Sequence, residues 1–478
     1  MMVAVPTVVI AALHNAATGL SINDEQASWF AGILYACQPL GSIFSGILSD
    51  KFGRKKCMIL VSIPQLVAWL LIYTAQTVEM LYIAAVLMGS SIGFMEAPQL
   101  SYIGEATQPH LRATLATFTS ICVSIGYFVM YLLGTITTWR VACAYAASVP
   151  ILAMITVSQI PESPVWLIMN NKIREAEQAL CWLRGWVSIN AVQKEMHSLL
   201  AYLKKSNKVD PKTYTPSKGK IYTQVSENGN RNGSSSSDSS DSQTKEKLTF
   251  SDKLHFILQP EMFRPFRLIF LFFFFYHCAA LSGFRPYMVQ VYTSLKLPVD
   301  SHWFTVVSGL LQIAGGLCCT IFVHCTGKRV ISFISMILCS AMCLSLGWYS
   351  MVQEKYGYSN PWIPLTLFII LFFSMSLGIS PIPWTLLSEI FPPRGRGIAG
   401  GLSAASFYIL YFMVTKTFLD MENLIHLYGV FYFYGVLGLV GLVFLYFYLP
   451  ETKDRKLEDI EYYFKHGHHA ESNGTLPR

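Results

Sequence analysis

Gly378-Ile-Ser-Pro-Ile-Pro-Trp-Thr-Leu-Leu-Ser-Glu-Ile-Phe-Pro-Pro-Arg-Gly-Arg-Gly397 joins two unlike halves. The first is apolar yet holds Pro381, Pro383 and one large aromatic, Trp384. The second ends in a carboxylate, Glu389, followed seven residues later by Arg396. Proline removes a donor from a helix, and inside a bilayer the freed backbone must be satisfied by neighbouring helices or a cavity. The first half therefore predicts a cavity wall, and the second a charged latch at a membrane surface.

The rest of the chain supplies the membrane. Of its 478 residues, 53% are hydrophobic and only 13% charged, with a mean hydropathy of +0.42. A soluble domain carries about a quarter charged residues. Here the charges fall in short clusters between apolar runs of about 20 residues, long enough to cross a bilayer as helices. Spans are expected at 27–48, 57–76, 80–103, 111–136 and 139–160, then at 265–292, 302–325, 329–351, 362–388, 397–419 and 425–449. Met1 to Ala12 is apolar but too short to span, and reads as the latter part of a truncated first helix.

This layout divides the chain into an N-terminal bundle (1–160), a polar linker (161–262), a C-terminal bundle (263–449) and a polar tail (450–478). Of the 35 lysines and arginines, 30 lie in loops on one side, which the positive-inside rule makes cytosolic. Both ends and the linker are expected there. Within the linker, Ile173, Ala176, Ala179, Leu180 and Leu183 share one helical face, and Val192, Met196, Leu199 and Leu203 another. Residues 205–250, with the run 226–245 rich in Ser, Asn, Gly and Asp, cannot bury a core and read as a disordered tether.

The net charge of +7 follows from this loop asymmetry and points to a bilayer, not to nucleic acid. Eleven cysteines lie mostly inside apolar runs without metal-ligand spacing and read as packing residues. No nucleotide-binding loop or nucleophile elbow is visible, so no catalytic residue, metal or cofactor is expected. Two glycosylation patterns, at Asn232 and Asn473, fall in segments placed in the cytosol.

The chain repeats itself. Asp50-Lys-Phe-Gly-Arg54-Lys follows the second span, and His324-Cys-Thr-Gly-Lys-Arg follows its counterpart in the second half. Glu105 precedes Arg112 by seven residues, as Glu389 precedes Arg396. Pro161-Glu162-Ser closes one half and Pro450-Glu451-Thr the other. Two six-helix halves related by parallel duplication, with a substrate site between them at mid-membrane, form the major facilitator architecture. A ring of Asp50, Arg54, Glu105, Arg112, Glu162, Glu389, Arg396 and Glu451 across the halves would bias one of two arrangements, while the plainer reading has these charges satisfying helix ends.

With Gly104-Glu105…Arg112, Pro161-Glu-Ser-Pro-Val-Trp166 and Pro381-Ile-Pro-Trp384…Glu389-Ile-Phe…Arg394-Gly-Arg396, the chain resembles the sugar porter family of the major facilitator superfamily. Asp24-Glu-Gln-Ala-Ser-Trp-Phe30 and Met95-Glu-Ala-Pro98 resemble insect facilitated trehalose transporters and their relatives. The resemblance implies alternating access, a sugar substrate and a plasma-membrane location. It places Trp384, Ser282, Gly283, Arg285, Tyr287, Ser120 and Ser380 at the substrate.

The chain departs from that pattern where the family binds sugar. Ser120 stands for a glutamine, and Ala279-Ala-Leu-Ser-Gly-Phe-Arg285 for Gln-Gln-x-Ser-Gly-x-Asn. Amides match hydroxyls because both donate and accept, and here methyls and a cation replace them. Ala85 and Ser376 stand for a common arginine and glutamate, and His324 for an aspartate.

Arg285 reads either as a ligand contact or as an arginine snorkelling to the outer interface. Glu96 could pair or titrate, and His277 reads as packed. The expectation is a facilitative sugar transporter. A proton-coupled or organic-anion transporter, or a non-transporting sensor, are the competing readings, and the oligomeric state is open.

Overall fold

The computed structural model describes residues 1–17, 19–107, 109–205, 259–391 and 396–451. The linker segment expected to be disordered, both glycosylation patterns and all but the start of the polar tail lie outside them. Before the linker come α1 (Val5–Leu13), α2 (Asp24–Ala36), α3 (Gln38–Phe52), α4 (Arg54–Thr74), α5 (Val78–Ala106), α6 (Pro109–Ile136), α7 (Trp139–Ala146) and α8 (Ser148–Gln159). The linker contributes α9 (Pro164–Met169), α10 (Ile173–Leu183) and α11 (Ile189–Lys205). After it come α12 (Pro260–Ala279), a 3-10 turn (Ser282–Tyr287), α13 (Met288–Ser294), α14 (Ser301–Thr326), α15 (Lys328–Tyr356), α16 (Trp362–Leu377), α17 (Ile382–Ile390) and α18 (Arg396–Tyr448).

Ten helical stretches among the described residues are long and apolar enough to cross a membrane. The last of them, Ala399–Tyr448, would extend about 75 Å if straight, more than twice a bilayer's apolar thickness. It breaks at His426, whose φ is +60°. Its first part runs alongside α12, Phe407 lying against His277 and the Val414 carbonyl against Gly283. Its second part returns, Gly438 meeting Ala279 and Gly441 meeting Phe275. The expected loop at 420–424 is therefore helix up to a single residue, because Met421–Ile425 contains neither glycine nor proline to end it earlier.

Many large apolar side chains point outward, among them Ile43, Ile47, Leu152 and Val443, while Ser45, Ser62, Ser91 and Ser340 are buried. A lipid-facing bundle has this inverted distribution, since small polar residues let helices approach and lipid solvates the rest. Gly93 shows how close the approach is: a Cβ there would lie 2.0 Å from the Gln38 carbonyl oxygen.

Two helical bundles pack through contacts that the duplication exchanges. The second span (α2 and α3) meets α18, and the fifth (α6) meets α14, the counterpart of the second. The segment α1 meets the 3-10 turn at the matching position of the second half. Such paired contacts are those of a two-fold interface.

Two spans are interrupted, the second where Pro381 and Pro383 stand. After α12 the chain turns at Leu281, whose φ is +48°, and continues as the 3-10 turn. Cys343 reaches back to the freed carbonyl of Ala279. Between α16 and α17, Ser335 accepts from the backbone of Ile379 at 3.0 Å and donates to the Ser374 carbonyl at 2.6 Å. The neighbouring helix thus re-satisfies the gap that proline opens.

Beneath the bundles, α9 to α11 form a separate small core of Trp166, Leu167, Ile168, Ala176, Ala179, Leu180, Val192, Met196, Leu200 and Leu203. The two expected faces meet each other there, with Leu200 more deeply buried than Leu199. Arg184 clamps Glu195 and donates to the Ala106 carbonyl at the end of α5.

Candidate functional site

The repeated charges are braces inside each half wherever their side chains are described. Glu162 accepts from the backbone nitrogens of Arg54 and Lys55, both at 3.0 Å. Glu451 accepts from those of Lys328 and Arg329 at 3.2 and 3.1 Å. Each carboxylate caps the start of a helix, where backbone donors lack partners. Each cap is preceded by a glycine with φ of +98° (Gly53) or +86° (Gly327). A Cβ would meet the Glu162 carboxylate at 2.3 Å and that of Glu451 at 2.6 Å. Only glycine meets both demands.

Around the first brace, buried Arg54 holds Glu105 at 3.0 Å and Asp50 at 3.1 Å. Ser163 donates to Glu105, Tyr102 donates to the Pro161 carbonyl, and the Trp166 ring donates to the Asp50 carbonyl. For Asp50, Arg54, Glu105, Glu162 and Glu451, the described contacts lie within a half. The side chains of Arg112, Glu389, Arg396 and His324 lie outside the described set.

Between the halves the contacts are aromatic and polar. At the end of the interface away from the braces, Lys416 donates to Ser28 at 2.8 Å and lies 5.0 Å over the Trp29 ring. Tyr35 stacks on Tyr411 with ring centres 3.8 Å apart. Tyr408 donates to Glu96 at 3.1 Å.

Arg285 sits in this interface. Only 6% exposed, it places its guanidinium 4.6 Å over the ring of Tyr127, on the opposite half. Nη2 reaches the Met375 sulfur at 3.8 Å, and Nη1 has no partner. Thr7 donates to its backbone carbonyl at 3.0 Å, closing the outer side. The snorkelling alternative is corrected: the 3-10 turn directs the side chain inward to the tyrosines. A desolvated cation–π contact contributes about 2 kcal/mol, whereas burying an ion costs several kcal/mol. The charge is left incompletely compensated.

The other expected substrate residues surround the two interruptions. Trp384, partly buried at the start of α17, packs on Phe407 and Phe273 with ring centres 4.9 and 5.2 Å away. Gly283 allows the Val414 carbonyl to approach to 2.4 Å from where a Cβ would be. Ser282 is buried with its hydroxyl unpartnered, and Tyr287 stacks on Phe418. Ser380 occupies the gap between α16 and α17, where its nitrogen donates to the Met375 carbonyl. Ser120 lies on α6, its carbonyl accepting from Ser124, without a described contact to the others. His277 is buried, with Nε2 at 3.2 Å from the Phe407 carbonyl.

Sequence reasoning missed Tyr127, which lies under the Arg285 guanidinium and stacks with Tyr131, and the Tyr35–Tyr411 stack between the halves. A signal was present: Tyr127 and Tyr131 stand four apart and Tyr408 and Tyr411 three apart, hence on common helix faces. Two cavities, of about 470 and 240 Å³, lie near the outer ends of the spans; the smaller is lined by Thr7, Tyr131 and His302.

Comparison with known proteins bears on this arrangement. Residues 2–464 match the family described as sugar (and other) transporter. The facilitated trehalose transporter Tret1 of Culex quinquefasciatus is 28% identical over 93% of this chain and 78% of its own length. That of Drosophila virilis is 27% identical over 93% of this chain, which spans only 44% of it. The inward-open xylose transporter XylE from E. coli superposes with a TM-score of 0.70 at 16% identity, over 96% of this chain and 95% of its own. A peptide transporter structure, POT, follows with a TM-score of 0.59 at 13% identity, over 93% of this chain and 90% of its own. The overall fold is thus shared with these transporters, and the chain is a member of the sugar (and other) transporter family of the major facilitator superfamily.

Proposed function

We propose that the protein is a facilitative transporter that moves a sugar, trehalose or a hexose, down its gradient by alternating access. One observation carries this reading: two helices are interrupted beside the interface of the halves, and Trp384, Ser282, Gly283 and Ser380 sit at the interruptions. Broken helices are where transporters of this architecture expose backbone groups to a substrate. The aromatic face of Trp384 suits the C–H face of a sugar ring.

The braces of Glu162 and Glu451 let each half move as one body. Arg112, Glu389 and Arg396 take the part of the latch between the halves on the basic side. That side, with both ends of the chain, is assigned to the cytosol and the membrane to the plasma membrane.

Uptake of labelled trehalose and glucose by oocytes expressing the chain tests the reading. Saturable uptake, indifferent to external pH, is expected. Surface-expressed protein with no uptake above control cells would sink it and favour a sensor.

A further inference from the structure

The guanidinium of Arg285 and the hydroxyl of Ser282 are both unpartnered at Nη1 and Oγ, and both are more than nine-tenths buried, at 6% and 1% exposure. They stand three residues apart on the 3-10 turn Ser282–Tyr287. In such a turn, side chains at i and i+3 eclipse one another. The two orphaned groups therefore share one face.

That face looks across the interface, where Tyr127 lies under the guanidinium and Tyr131, Tyr276 and Tyr411 stand nearby. Among the described residues no carboxylate lies within ion-pair distance of Arg285, and its one side-chain acceptor is the weakly accepting sulfur of Met375. An arginine stays charged at any pH a cell reaches, so the site cannot relieve itself by losing a proton. It needs an anion.

We propose that Arg285 and Ser282 form a carboxylate-binding subsite, and that the solute taken there is a hydroxylated carboxylate, a sugar acid. A guanidinium presents two parallel N–H groups that match the two oxygens of a carboxylate.

The proposal uses the transporter reading only to locate the site, and binding tests it apart from flux. The full chain, purified in detergent, is titrated with glucuronate, glucose and glucose 6-phosphate at matched ionic strength while its thermal unfolding is followed. Glucuronate is expected to raise the midpoint more than glucose at equal concentration. Arg285→Lys, which keeps the charge and loses the fork, should weaken glucuronate binding by about tenfold, and Ser282→Ala severalfold.

Should Arg285→Gln fail to fold, these two variants still decide. A midpoint indifferent to glucuronate, wild-type affinity in Arg285→Lys, or a response to glucose 6-phosphate alone would each overturn the carboxylate assignment. Neutral sugar uptake without glucuronate binding leaves the transporter reading standing and this one fallen. Glucuronate binding without any flux does the reverse.

Discussion

Tyr408 donates its hydroxyl to Glu96 at 3.1 Å, from α18 in one half of the molecule to α5 in the other. The bond joins the two halves, so it stabilises their apposition there. A hydrogen bond to a carboxylate contributes about 1.5 kcal/mol or more, roughly tenfold in a two-state equilibrium. Tyr408→Phe keeps the ring and removes the bond. Amide exchange in 24–36 and 403–418 should quicken by about that factor, and unchanged exchange would count against the coupling.

The braces separate buried from exposed charge. Arg54 is buried and holds Glu105, whereas the Asp50 side chain is 74% exposed. Arg54→Ala should cost about 2 kcal/mol because it takes the buried cation from Glu105 and one of the two donors from the Ser49 carbonyl. Asp50→Asn should cost less than about 1 kcal/mol, since solvent screens the pair. Unfolding midpoints of the purified variants compare the two, and equal losses would refute the distinction.

Helix contact in the first half depends on a missing side chain. Gly93→Ala would push a methyl to 2.0 Å from the Gln38 carbonyl oxygen, while Gly104, on the same helix, has open space around it. The first substitution should destabilise by about 1–3 kcal/mol, and the second should be neutral or gain about 0.5–1 kcal/mol from reduced chain entropy. Thermal unfolding in one detergent checks the ordering.

Trp384 carries the sugar reading. Trp384→Ala should raise the half-saturating concentration for neutral sugar by about fivefold, and Trp384→Phe by less, given a stacking contribution near 1 kcal/mol. Equal, undiminished uptake by both variants at matched surface expression would remove Trp384 from the site.

The spans were legible because a bilayer imposes a fixed apolar length, which Leu60 to Ile72 or Val440 to Phe447 display without any knowledge of neighbours. The interruption at Gly378–Pro381 was legible too, since prolines announce it. That at Leu281 was not: nothing in Ala279-Ala-Leu281 marks a left-handed residue, and the turn is set by Val414 and Cys343 from other helices.

The carboxylates of Glu162 and Glu451 were visible as a repeat. That they satisfy helix ends was one of the two readings the charges allowed; which backbone nitrogens they cap was hidden, because a backbone donor has no letter in a sequence. The environment of Arg285 was hidden for a different reason, as Tyr127 reaches it from the opposite bundle.

The paired glycine-and-carboxylate braces give the molecule something most proteins lack, an experimental control written into its own chain. Gly53→Ala and Gly327→Ala pose one identical geometric insult to two related copies of a joint. Any inequality between them measures how far the twins have drifted apart since they were one.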